Sequence, residues 1–476
     1  SLNKITNTRK EDLTKRASLT FLNTLLSQGI HFVTGFIVTP IIIRGVGAEL
    51  YGAWLMIQQS MGYLALSDMR PMGTLKFTLA ITQHIEEQEP KKRQIGAAVV
   101  LWMITLPVLL LGGLLVVWIT PKFIHTQDSS IFIVRLAMAI VVVNLALDRI
   151  SSLPGNVLRG LNLDYKRMGV NAFTIFLVGM LCVPFIWIGW SLPGLALAGL
   201  IGIVFTGIIQ YWIVKQFVPW FGISRPTREE FNEFTKTSVW LFISCASFLL
   251  LNASDLLLVG YILGPTYAAI YGTTAAVLRM SIEPLAQLLS SGNAGVSKLC
   301  GTKEWDRLAK VRHEMHIIAL VVMTVIGASV ILLNGSFVKL WVGESFYGGN
   351  LFNFFMVIGA CGILFIWVDG TILDSLLEFK KRAKVTFVAG LIALILGYFL
   401  TYWYGLIGIA VANAIVKLGL AIVFNSVVSK YINISIKNNI KTIKRALFFM
   451  LIAFLGSLYL VPCMYISNWI IFIFFA

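Results

Sequence analysis

Apolar runs such as Ile95–Thr120 and Val385–Thr401 recur from end to end of this chain, without a charge inside either of them. A helix of about 20 apolar residues crosses the ~30 Å hydrocarbon layer of a bilayer. No water inside that layer can satisfy an open backbone, so helices that satisfy their own N–H and C=O groups are the structures that cross. The recurrence therefore points to an all-α polytopic membrane protein. Charged residues make up only 13% of the 476, against about 25% in a soluble globular domain.

Fourteen candidate spans can be read: 17–43, 48–69, 95–120, 131–153, 168–190, 192–214, 237–263, 266–291, 314–338, 350–377, 385–402, 405–428, 446–462 and 464–476. The second is polar for a span and the last is short. The first apolar run follows a polar tail and is long enough to cross, so it reads as a span and not as a cleavable leader. Five cysteines show no metal-ligand spacing and lie mostly in apolar runs, which predicts free thiols, no metal site and no cofactor.

A formal charge of +16 would suggest nucleic acid if the chain were soluble. The placement of the cations argues otherwise. The N-terminal tail and alternate loops hold 32 of the 38 Lys and Arg, whereas the opposite loops hold only Arg44, Lys122 and Lys339. By the positive-inside rule both termini are cytoplasmic, and no nucleic-acid partner is expected. The outer loops are short, the longest being 339–349. That leaves no room for an outer catalytic domain, and no G-x-x-x-x-G-K-[ST] phosphate loop is present. An enzyme is not expected.

The charged loop 215–236 divides the spans into two groups of six, with two more at the end. The expected organisation is a cytoplasmic tail (1–16), a first lobe (17–214), the loop, a second lobe (237–428) and a C-terminal loop with two helices (429–476). A Gly followed by a Tyr-Gly pair recurs in both groups, as Gly47–Tyr51–Gly52 and Gly264–Tyr271–Gly272. Since six is even, the groups would be parallel repeats, an arrangement that transporters use with substrate bound between the halves.

Three passages carry a family resemblance. They are Pro40 through Trp54, followed by Tyr63 and Asp68; Pro154 through Gly160, with Asn171 beyond; and Val296–Leu299 through Asp306–Leu308. With them the chain resembles the Wzx-type polysaccharide (O-antigen repeat unit) flippases of the multidrug/oligosaccharidyl-lipid/polysaccharide (MOP) exporter superfamily. Where that family usually has Asp-x-Gly, this chain has Asp68–Met69–Arg70. The resemblance implies two MATE-like six-helix lobes around a central cavity, plus two C-terminal helices. It also implies export of an undecaprenyl-pyrophosphate-linked oligosaccharide across the bacterial inner membrane by alternating access. Its partners would be that lipid-linked substrate, membrane lipid and other polysaccharide-assembly proteins.

Polar residues inside the spans supply the candidate site. Thr20, Asn23, Thr24, Ser27, Gln28, His31 and Thr34 fall within a sector of about 140° on the first span. Such a stripe is either a seam of interhelical hydrogen bonds or a wet cavity wall. Arg279, Glu283, Gln287 and Ser290 form a second stripe on the eighth span, where Arg279 and Glu283 could equally pair at i, i+4. Lys417 lies four residues after Asn413 near mid-depth of the twelfth. Arg44 and Arg135 lie near outer ends, from which they could snorkel to headgroups. The substrate-binding set is thus Arg279, Lys417, His31, Arg135, Arg44, Gln28, Asn23 and Gln287.

Among the acids, Asp255 shares one side of the seventh span with Asn252, Ser247 and Ser244, while Asp369 lies in the inner half of the tenth. Asp255, Glu283 and Asp369 are the candidates for coupling to H⁺ or Na⁺. Buried cations suit a pyrophosphate cargo, and amide and hydroxyl stripes suit sugars. An ion-coupled multidrug antiporter is the second reading, and a membrane oligosaccharide polymerase or ligase the third.

Overall fold

The computed structural model describes residues 2–82, 87–124, 130–291, 293–376, 378–432 and 436–463, together with Ile466, Asn468, Trp469 and Phe472. Its helices are α1 (Leu2–Val46), α2 (Ala48–Leu64), α3 (Pro71–Ile81), α4 (Glu89–Ile124), α5 (Ile131–Ser151), α6 (Leu153–Gly160), α7 (Val170–Trp187) and α8 (Ser191–Phe217). They continue with α9 (Arg228–Asn252), α10 (Ser254–Leu263), α11 (Pro265–Ser291), α12 (Asn293–Gly301), α13 (Trp305–Trp341), α14 (Asn350–Ser375), α15 (Phe379–Ile432) and α16 (Ile436–Leu460). No strand occurs among the described residues. Nine helices among them are long and apolar enough to cross a membrane. The chain is a multi-pass membrane protein.

The helices refine several of the spans. The run 237–263 is two helices, α9 and α10, parted at Ala253. The runs 385–402 and 405–428 are the two arms of α15, which reverses at Gly405 with φ 60°. That left-handed conformation suits a residue without Cβ. Glycines of positive φ also join α1 to α2 (Gly47, φ 85°) and α10 to α11 (Gly264, φ 98°), so the recurring Gly marks the same kind of helix junction in both places. Of the run 464–476 the structure describes four residues.

The chain forms two compact units, Ser1–Leu50 with Ser60–Ala246, and Tyr51–Gln59 with Ser247–Ala476. In the first, α5 packs on α8 and α4, and α7 on α1 and α8. Lipid tails are as apolar as Leu, so close packing and interhelical hydrogen bonds set such contacts. Asn144 of α5, for example, donates to the Ala196 carbonyl of α8 at 2.8 Å. At one end, α3, α4, α6 and α8 share a core that includes Leu75, Ile95, Val157, Leu158 and Val214. There Lys76 is held below the ordinary lysine range by burial and by the nearby Arg159.

Asp68 is fully buried in this unit, where it forms an ion pair with Arg149 and accepts from the Arg70 backbone N–H at 2.9 Å. Met69 and Arg70 both take positive φ, 57° and 56°. The second of these is where the resembling family usually has Gly, and the conformation gives the physical reason for it.

In the second unit α14 packs against the arms of α15, α13 against α14 and α16, and α10 against α11 and α15. One core joins α11, α13, α14 and α16 through residues such as Leu278, Met323, Val357 and Phe454. Buried amides brace the same helices: Asn334 donates to the Thr274 carbonyl at 2.9 Å and to Asn353 Oδ1 at 2.8 Å.

Candidate functional site

Within the second unit, α9, α10, α11, α14 and the second arm of α15 line a polar cavity of about 250 Å³. Helical spacing brings its polar groups together. Asn252 and Asp255 flank the break at Ala253, while Arg279 and Glu283, like Asn413 and Lys417, lie one turn apart and so share a helix face. Phe248, Trp367 and Met356 are among the apolar residues of the wall.

Asp255 is buried and accepts a hydrogen bond from the Tyr271 hydroxyl at 3.2 Å. The Arg279 guanidinium carbon lies 5.8 Å from the centroid of the same Tyr271 ring, a cation–π distance. Lys417 is 8% exposed, attracted by Asp255 and repelled by Arg279. No carboxylate among the described residues lies within ion-pairing distance of its ammonium. Beside it, both polar atoms of the buried Asn413 amide lack a partner. A buried polar group left unpaired costs about 1–3 kcal/mol, and folded proteins keep few. Asn413 and Lys417 thus line the cavity without an answering partner.

Glu283 is exposed and makes no ion pair with Arg279, so the i, i+4 pairing that the sequence allowed is not formed. The cavity holds two cations and two carboxylates, which makes it formally neutral. Its character is nonetheless uneven: Lys417 and Asp255 are buried, whereas Arg279 and Glu283 are exposed.

The sequence profile described as polysaccharide biosynthesis protein matches residues 20–288. The chain belongs to the polysaccharide biosynthesis protein family. No curated protein matches it. Among solved structures it is similar to the inward-facing form of a multidrug resistance MATE family transporter of the MOP superfamily, with a TM-score of 0.70 at 15% identity over 86% of this chain and 96% of that one. A MOP superfamily transporter from Pyrococcus furiosus, described as having a binding pocket of reverse polarity, gives a TM-score of 0.62 at 14% identity over 88% and 96%. A MATE in complex with MaD3S gives 0.62 at 14% identity over 89% and 97%. The fold of this polysaccharide biosynthesis protein is MATE-like.

Of the residues singled out in the sequence, the cavity unites Arg279, Lys417, Asp255 and Glu283. Asp369 lies elsewhere. Arg312 of α13 grips it with two hydrogen bonds, Nε to Oδ1 at 2.7 Å and Nη2 to Oδ2 at 3.0 Å. The guanidinium also reaches Ser429 at 3.2 Å and Asn425 at 2.7 Å, and His316 Nε2 stands 3.4 Å from Asp369 Oδ1. Counted with the loop cations in the sequence, Arg312 is in fact helical and 2% exposed.

In the first unit of this family member, Gln28 is half-buried, His31 exposed and Thr34 buried along α1. Arg44 is exposed in the last turn of α1, where a cation complements the helix dipole. Arg135 lies 4.7 Å from the Trp118 ring centroid. The side chains of Asn23 and Gln287 lie outside the described residues. Sequence reasoning missed Tyr271 as a site residue, although it had marked it in the Gly…Tyr-Gly repeat. It also missed Trp367, which no pattern distinguishes from packing.

Proposed function

We propose that this protein is a flippase that carries an undecaprenyl-pyrophosphate-linked oligosaccharide repeat unit from the inner to the outer leaflet of the bacterial inner membrane by alternating access, with both termini in the cytoplasm. The observation that carries this reading is Lys417, a buried ammonium without a paired carboxylate in a member of a polysaccharide biosynthesis family. A charge kept inside a membrane protein is usually kept for function. A pyrophosphate leaving headgroup water needs compensating cations. Arg279, exposed, would meet it first with a planar fork suited to phosphate oxygens, and Lys417 would take it as a point charge. The cavity suits the charged head of the substrate, its volume being below the ~300–1,000 Å³ of whole small-ligand sites. Sugars would find amide partners in Asn252 and Asn413, while the prenyl tail stays in lipid. Asp255, neutralised by H⁺ or Na⁺, would couple the cycle to a gradient.

A second reading has its own observation. Asp255 and Glu283 beside Phe248 and Trp367 make a carboxylate–aromatic wall suited to an organic cation, as in an ion-coupled multidrug antiporter. The two readings differ in the sign of charge the cavity serves. Proteoliposomes loaded with a fluorescent lipid-linked oligosaccharide, and separately with an organic cation, decide between them. The flippase reading expects leaflet exchange of the first, lost in Lys417→Ala. Exchange of the cation alone, lost in Asp255→Asn, would establish the antiporter.

A further inference from the structure

The two arms of α15 also line an open-sided groove of about 570 Å³ that shares no residue with the polar cavity. Its lining runs from Lys384 through Val388 and Ile392 on one arm, and from Ile415 through Gly419 to Val423 on the other; apart from Lys384 every lining residue is apolar. Val388 and Ile415 are each 54% exposed. Gly419 opens the middle of the groove, since a Cβ built there meets nothing within 4 Å.

The ends of the hairpin fix its depth. Next to the reversal at Gly405, Tyr402, Trp403 and Tyr404 are all exposed, an aromatic belt of the kind that sits at a membrane interface. From Lys384 to Tyr402 is about 27 Å of helix, close to the ~30 Å hydrocarbon thickness. Lys384 therefore stands at the other interface, among lipid headgroups. Its neighbours are engaged: Lys381 donates to the Tyr431 hydroxyl at 2.7 Å, and Arg382 pairs with Asp374. The Lys384 side chain is exposed and has no hydrogen bond or ion pair among the described residues.

We infer that this groove binds one anionic phospholipid of the surrounding bilayer, with an acyl chain lying between the two arms of α15 and the phosphate on Lys384. An acyl chain matches the apolar lining and its position inside the hydrocarbon layer. The free cation at headgroup level supplies the selection for negative charge. From Lys384 to Ile392 the groove holds about 12 Å of such a chain.

Native mass spectrometry of the full chain in detergent, titrated with phosphatidylglycerol or with phosphatidylcholine of the same acyl chains, tests this. One phosphatidylglycerol should bind about fivefold more tightly than phosphatidylcholine, the contribution of one surface cation. Lys384→Ala should erase that preference while leaving phosphatidylcholine binding unchanged. Gly419→Phe should fill the groove and weaken both lipids, whereas Gly419→Ala should retain them. Equal binding of the two lipids, or a preference that survives Lys384→Ala, would overturn the proposal whether or not Gly419→Phe folds. Displacement of phosphatidylglycerol by undecaprenyl phosphate at lower concentration would move the groove to an isoprenoid ligand and overturn it as well.

Discussion

Asp369 and Lys417 are both buried charges on helices of the second unit, and their surroundings are built on opposite plans. Around Asp369 the opposite charges are answered: Arg312 takes both carboxylate oxygens, and its Nη1 and Nη2 also reach Ser429 and Asn425. Around Lys417 the groups are left open, with the ammonium unpaired and the Asn413 amide without partners. The closed cluster ties α13 and α14 to α15. An open cluster is a standing cost that a ligand would relieve. Burial of charge alone therefore does not tell the two clusters apart; the unanswered part of it does.

The largest expected effect breaks the closed cluster. Arg312→Ala leaves Asp369 buried without its cation, which costs about 3–5 kcal/mol. Thermal unfolding in detergent should show a large fall in Tm or a loss of folded protein. The pair Arg312→Leu/Asp369→Leu should restore much of it, since no lone charge then remains. Stability unchanged in Arg312→Ala would remove the contrast between the clusters.

Next comes the open cluster. Lys417→Ala removes a buried charge without a paired carboxylate, so Tm should hold or rise, while transport of the lipid-linked substrate falls by about 10-fold or more. Arg279→Ala should lower transport in the same direction, and Arg279→Lys should keep part of it because charge survives without the bidentate fork. Since Glu283 does not pair with Arg279, adding Glu283→Ala to Arg279→Ala should not restore transport; full recovery would make the two a structural pair after all. Smallest of all, Glu283→Gln alone should change stability by no more than about 0.5 kcal/mol, as an exposed position away from any network.

Much of this contrast was legible in the sequence, for physical reasons that differ by residue. Arg279 and Glu283, and Asn413 and Lys417, stood out because charged and amide groups one turn apart interrupt apolar helices. Their convergence in one cavity was not legible, because it depends on how α11, α14 and α15 pack. Arg312 was misplaced because a cation at the end of a basic loop reads as solvated, and only the packing of α13 shows that its helix begins earlier, at Trp305. Asp369 stood out for the same reason as Asp255: both are acids in apolar runs. What separates them is the partner each finds, Arg312 in one case and a tyrosine hydroxyl in the other. At the fold level the apolar runs displayed the helices directly, while the reversal inside α15 rested on one glycine.

In the proposed flippase Lys417 holds an anionic cargo and is not a strut. Leaflet-resolved transport of a lipid-linked oligosaccharide in proteoliposomes, measured for Lys417→Ala beside its Tm and normalised to folded protein, tests it most directly. Transport should fall by about 10-fold or more with stability kept or raised. Transport at the unaltered level, or a loss that only tracks a fall in Tm, would contradict it.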